Sequence, residues 1–181
     1  MSKLLDEILS NDNMNLAFKS VKANKGTYGV DEVTLDDLSD YIKNNWKDIK
    51  SKIEERKYYP LPVRRVQIPK PNGSKRNLGI PTVMDRVIQQ AMVQVLTPIC
   101  EEYFSNYSYG FRPNRSAHDA IYKTLDLLND GYEWIVDLDI EKYFDTVNHD
   151  KLISILRREV NDSLTLHLIR SFLFLSHPNL S

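Results

Sequence analysis

A chain of 181 residues, 41% hydrophobic and 27% charged, is long enough to bury the core of one ordinary domain. Its net charge of −1 gives no bulk signal for nucleic acid, and its single cysteine, Cys100, excludes an internal disulfide framework. No apolar run reaches the roughly 18 residues of a membrane span, and the chain therefore reads as cytoplasmic. In chain order, Leu4, Leu5, Ile8, Leu16, Phe18 and Val21 predict one or two short helices broken near Asn11–Asn13. NKGTYGVDEVT, residues 24–34, is a glycine-containing loop, after which Thr34 is expected to cap a helix running to about Lys57.

The period then changes. Val63, Val66 and Ile68, then Asn72-Gly73, then Arg76, Leu78 and Ile80 predict a hairpin. Between Lys47 and Arg86 the charge is +7, which leaves −8 for the remainder, so a localised anion-binding face is expected on a near-neutral protein. A long helix is predicted from Thr82 to about Tyr103, with Cys100 in an apolar role. YSYGFRPNRS is a loop, and Ser116 opens another helix carrying Ile121, Leu125 and Leu128. A strand, EWIVDLDI, and two helices over about 146–158 and 162–175 complete an α+β pattern, helices around a small antiparallel sheet.

Strand alternation puts Trp134, Val136, Leu138 and Ile140 on one face, expected to pack against helices, and Asp137 and Asp139 on the other, about 6.5–7 Å apart. Two carboxylates at the end of a strand suit a hard divalent cation, which takes a few carboxylates plus substrate phosphates. A turn cap and a lysine partner would account for them equally well on spacing alone.

DIEKYFDTVNHDKL resembles the first catalytic block of reverse transcriptases, an acid at the end of a palm strand with an aromatic residue five positions later. Asp139 and Phe144 fit that rule, whereas Asp137 leads to Lys142. The resemblance implies that Asp139, with Ile140 beside it, binds the catalytic Mg²⁺ ions, that Phe144 lies beneath the incoming sugar, and that Asp145 caps the helix near Thr146. IPKPNGSKRNLGIPT is similar to the family's fingers hairpin, so Lys70 and Arg76 would hold the triphosphate of a dNTP. DRVIQQAMVQVLTPICEEYFSNYSYGFRPNRSAHDAI resembles the next block of bacterial group II intron enzymes, which makes Tyr109, Phe111, Arg112 and Arg115 template contacts. NKGTYGVDEVT looks like that lineage's N-terminal loop, with Lys25, Gly26 and Tyr28 over the template.

The resemblance implies right-hand polymerase fingers over residues 1–130 (template loop 24–34, hairpin 63–80, template-binding helices and loop 82–129) and an incomplete palm over 131–181. RNA template, DNA primer and dNTP are the implied partners. The only Asp-Asp pair is Asp36-Asp37, far upstream, so the family's Tyr-x-Asp-Asp hairpin does not occur in this sequence. Two-metal chemistry needs those carboxylates. The chain is therefore expected to be an N-terminal fragment, inactive alone, with an open palm edge that invites a homodimer.

The alternative is a non-catalytic, maturase-like module that grips group II intron RNA and assists its splicing. Intron, retron and defence-associated lineages share the blocks present here. An unrelated hydrolase has little support. His118, His149, His167 and His177 show no H-x-x-H spacing, and neither a G-x-S-x-G elbow nor a Walker A pattern occurs.

Overall fold

The computed structural model describes residues 2–69, 71, 73 and 75–175. Helices α1 (Lys3–Ile8), α2 (Asn11–Ala23), α3 (Leu38–Glu54) and α4 (Val83–Glu101) carry most of the core, with α8 (Ser163–Leu175) against them. Between α3 and α4 lies one antiparallel pair, β1 (Arg64–Pro69) and β2 (Lys75–Ile80). After α4 come α5 (Ala117–Asn129), α6 (Tyr143–Thr146) and α7 (His149–Leu156).

The helix starts follow from side-chain chemistry. Ser2, Ser10, Thr82, Ser116 and Asn148 each accept a hydrogen bond from a backbone N–H in the first turn of α1, α2, α4, α5 and α7 respectively. Ser10 explains why the first break falls at Leu9–Ser10 rather than near Asn11–Asn13. Thr34 closes a turn with Asp37 (Oγ1 to carboxylate 2.6 Å), and α3 begins only after Asp37.

Helix α4 is the axis of the core. Val83, Met84, Val87, Ile88, Ala91, Met92 and Val95 are buried along one stripe against Leu5, Ile8, Ala17 and Val21 of α1 and α2. Each fully buried Val, Leu or Ile contributes about 1.5–3 kcal/mol. Asn13 adds register, donating to Ile8 O at 2.8 Å and Ala91 O at 3.0 Å while accepting from Gln94 at 2.6 Å. Cys100 is half-buried, and that burial pushes its thiol pKa up.

Two helix ends share one geometry with different residues. After α5, Gly131 (φ 94°) sits where a left-handed residue is required, with Tyr132 N–H bonded to Leu127 O and Gly131 N–H to Leu128 O. After α3, Lys57 N–H bonds to Lys52 O and Arg56 N–H to Ile53 O, but the left-handed residue is Arg56 (φ 59°). An arginine there costs about 1–2 kcal/mol over glycine.

The predicted strand EWIVDLDI does not form. Residues 132–140 make no ladder, and the only sheet among the described residues is β1–β2. Trp134, Val136 and Leu138 are 94%, 80% and 88% exposed, so the apolar face is not packed against helices. A strand needs a neighbour to satisfy its N–H and C=O groups, and the described residues supply none. The stripe Ile121, Leu125 and Leu128 of α5 is likewise uncovered; α5 buries no residue. The backbone of residue 145 lies inside α6, whose N-cap is Lys142, and α7 is capped by Asn148.

Candidate nucleic-acid interface

The register Arg64↔Ile80, Val66↔Leu78, Ile68↔Arg76 fixes what each hairpin face carries. Arg76 stands opposite Ile68 on an exposed strand, near the tip. Lys70, its expected partner at a triphosphate, lies outside the described residues. The ladder ends at the pairing of Pro69 with Lys75, and Gly73 has φ 79°.

At the base of the hairpin, loop 24–34 is tied down by two arginines that the spacing of motifs did not single out. Arg86 of α4 donates to Thr27 O at 2.6 Å, and Arg64 of β1 donates to Thr27 Oγ1 at 2.9 Å. The Arg64 guanidinium also lies 4.4 Å from the Tyr28 ring centroid, a cation–π contact. Gly26 has φ 118°, and a Cβ there would come within 2.9 Å of Arg86 Nη1. A Cβ on Gly29 would meet the Thr82 backbone at 2.6 Å. Loop, hairpin and the start of α4 are therefore one assembly, and Lys25, Gly26 and Tyr28 are brought to the hairpin base. The Nε atoms of Arg64 and Arg86 are buried without a partner among the described residues.

The start of α4 is anchored from the other side by Asp85, 2% exposed. Its carboxylate accepts from Tyr58 Oη (2.6 Å), Thr82 Oγ1 (2.7 Å) and Leu61 N–H (3.2 Å), which pins the segment leading into β1. Burial pushes the Asp85 pKa up against those hydrogen bonds, and the same burial raises Tyr58 strongly.

The YGFRP loop divides its residues between inside and outside. Arg112 is turned inward, its side chain 6% exposed, bonded to Glu101 and to the carbonyls of Ser105 (2.6 Å) and Ser108 (3.1 Å). Arg115 donates to Asn106 O and lies 5.5 Å from the Tyr109 ring centroid. Phe111 faces solvent completely with φ 57°, a conformation unusual for a bulky residue and one that clusters at functional sites. Tyr103, Phe104 and Tyr107 of the same block are also exposed. These three aromatics could have been flagged from sequence, since they interleave with the same block.

Asp137 and Asp139 project from the unpaired segment, exposed, as are Ile140 and Phe144. Phe144 and Tyr143 form an edge-to-face pair, centroids 5.6 Å apart. Among the described residues no group of three or more His, Cys, Asp or Glu side chains converges on a metal position.

Residues 68–180, more than half of the chain, match the model of a family described as reverse transcriptase (RNA-dependent DNA polymerase). The chain belongs to the reverse transcriptase family. It is 40% identical over 147 residues to protein YkfC of Escherichia coli, covering 79% of this chain and 39% of YkfC. To the group II intron-encoded protein LtrA of Lactococcus lactis it is 38% identical over 176 residues, 95% of this chain and 28% of LtrA. Among solved structures, a chain of a partial Cas6-RT-Cas1–Cas2 complex superimposes with a TM-score of 0.57 at 24% identity, covering 95% of this chain and 28% of that one. That likeness establishes the shared fold. The chain spans well under half the length of these relatives.

No described helix is long and apolar enough to cross a membrane.

Proposed function

We propose that this chain forms the fingers and the first part of the palm of an RNA-directed DNA polymerase of group II intron type, and that it binds an RNA template through loop 24–34, the basic hairpin and the aromatic loop 103–115. Residues 1–130 are assigned to the fingers and 131–181 to the palm. The observation that carries this reading is the double arginine clamp on Thr27, which joins a loop and a basic hairpin into one cationic surface. Phe111, Tyr109 and Arg115 supply stacking and phosphate contacts to a single strand. Arg112 acts as a positioning residue that holds them.

Arg76 and Lys70 would grip the triphosphate of the incoming nucleotide, and Phe144 would lie against its sugar. Magnesium, when bound, supplies charge neutralisation at the triphosphate and activation of the primer 3′-hydroxyl. The Asp139 carboxylate and the Ile140 carbonyl are the oxygen donors that would hold it, and a hard cation suits that donor set. Asp139 is exposed and no protein group competes for it among the described residues.

Fluorescence anisotropy with a DNA primer annealed to an RNA template tests the reading. Micromolar or tighter binding that weakens steeply with salt is expected, and absence of binding at low salt would refute it. Primer extension by the 181-residue chain with Mg²⁺ and dNTPs should give no product, because this sequence has no Asp-Asp pair after Asp139. Incorporation abolished by Asp139→Ala would overturn that part.

A second reading, a maturase-like module without catalysis that assists intron splicing, is favoured by the unpaired aspartate segment. It predicts that structured intron RNA outcompetes the primer–template.

A further inference from the structure

Away from the surface described above, a cleft of about 430 Å³ opens between α7, α8 and the turn after α3. It shares no lining residue with the hairpin, loop 24–34 or the aspartate segment. Arg56, Arg157, His167 and Arg170 line it, and Asp162 is its only carboxylate. That carboxylate is already occupied: Ser2 Oγ and the N–H groups of Leu5, Leu164 and Thr165 donate to it. Arg170 is held by Asp150 at 2.7 Å, whereas Arg56 and Arg157 have no carboxylate partner among the described residues.

Two details distinguish this cleft from an ordinary solvated patch. Arg56 occupies the left-handed position closing α3, where glycine would be the unstrained choice, and its Nη2 reaches across to Ser163 Oγ at 2.9 Å. Strain of that kind is retained where the side chain is required. The lining also contains no Phe, Tyr or Trp, His167 being its only ring. Sites for single strands stack bases on aromatic rings, and loop 103–115 has such rings in abundance. A cleft with three guanidiniums and no large aromatic platform is suited to backbone phosphates, which Arg binds through paired N–H groups.

We infer that this cleft is a second RNA site, taking the phosphodiester backbone of a folded, double-helical RNA rather than the template strand. The inference rests on the reading that the chain binds RNA and adds where a structured RNA would sit. Arg157 and the N–H groups of Arg56 not bonded to Ser163 are its open donors. His167 and Arg170 follow one another on the same face of α8, four and seven residues after Ser163, and extend the row.

The test uses the full 181-residue chain, a fluorescein-labelled RNA stem-loop without single-stranded tails, and a DNA primer on an RNA template. The double variant Arg56→Gly/Arg157→Ala is informative because glycine relieves the strained turn, so folding should be preserved or improved, as circular dichroism would verify. For the stem-loop, the slope of log K against log salt should become shallower by about 2, one per lost phosphate contact. Primer–template binding should be unchanged, and Arg56→Lys/Arg157→Lys should keep most of the stem-loop slope. Wild-type slope and affinity for the stem-loop in the double variant would overturn the inference while leaving template binding intact. A wild-type chain that binds neither RNA would overturn both readings together.

Discussion

Arg112 grips Glu101 through the Nε–Nη2 edge of its guanidinium, Nε lying 3.1 Å from both carboxylate oxygens and Nη2 2.8 Å from Oε2. With Nη1 on two loop carbonyls, the arginine closes residues 101–112 onto the end of α4. Its hydrogen bonding holds the Glu101 carboxyl below the usual carboxylate range. Phe111 is presented outward because its neighbour is fixed inward.

Arg112→Ala should therefore lower the thermal midpoint by several degrees and speed proteolysis within 104–112, because Glu101 and two carbonyls lose their donors together. RNA affinity should fall indirectly, and Glu101→Gln should reproduce part of both effects. If Arg112 met the template directly, Arg112→Ala would weaken binding with no change in melting. Melting curves and anisotropy on the same samples decide between these outcomes.

Gly29→Ala should detach loop 24–34 from α4. The added methyl would lie 2.6 Å from Thr82 Cα and 2.7 Å from Thr82 N, atoms of backbone that begin a core helix and cannot swing aside. A loss of about 1–3 kcal/mol is expected, together with weaker template binding. Gly110→Ala is the matching control, since a Cβ there meets nothing within 4 Å. Urea denaturation of the two variants measures the difference.

How far the sequence could be read follows from what each element depends on. Helix α4 was legible because its apolar period and the Thr82 cap are local, and the β1–β2 hairpin because its alternation flanks a turn signal within a few residues. The strand at 133–140 was not. Its alternation of Trp134, Val136, Leu138 and Ile140 with Asp137 and Asp139 is a strand pattern, but a strand exists only through a partner, and periodicity cannot report whether one is present. The inward turn of Arg112 was not legible for a related reason: motif position marks a residue as part of a block without saying whether its side chain turns in or out. Arg64 and Arg86 stood out only as members of the basic segment 47–86, since their shared target Thr27 is brought to them only by the fold.

The absence of a ladder over 132–140 has a direct consequence for dynamics. Backbone amides from Trp134 to Ile140 should exchange with solvent close to the rate of an unstructured peptide, while those of Val87 to Val95 in α4 exchange slowest. Trp134, 94% exposed, should give the emission of a tryptophan in water. Asp139→Ala should leave the melting temperature unchanged, because no described residue bonds to that carboxylate. Strong protection of the segment in hydrogen exchange would show that it is paired in solution and would contradict this.

Asp162 links α1 to α8 and sets an acid limit on stability. Burial pushes its carboxyl pKa up, but donation from Ser2 and the N–H groups of Thr165, Leu5 and Leu164 outweighs this and holds it below the ordinary value. The unfolded chain therefore takes up this proton at a higher pH than the folded one. The stabilisation is complete above the ordinary carboxylate range and is lost as pH falls through the lowered value. Asp162→Ala should cost about 1–2 kcal/mol at neutral pH through loss of the cap. Asp162→Asn should retain part of the cap while removing the proton linkage, so its stability should decline less between about pH 5 and about pH 3 than that of the native chain. Urea midpoints measured across that window test the sign. Parallel curves for the native and Asn chains would show that the acid sensitivity resides elsewhere, with Glu101 the next carboxylate to examine.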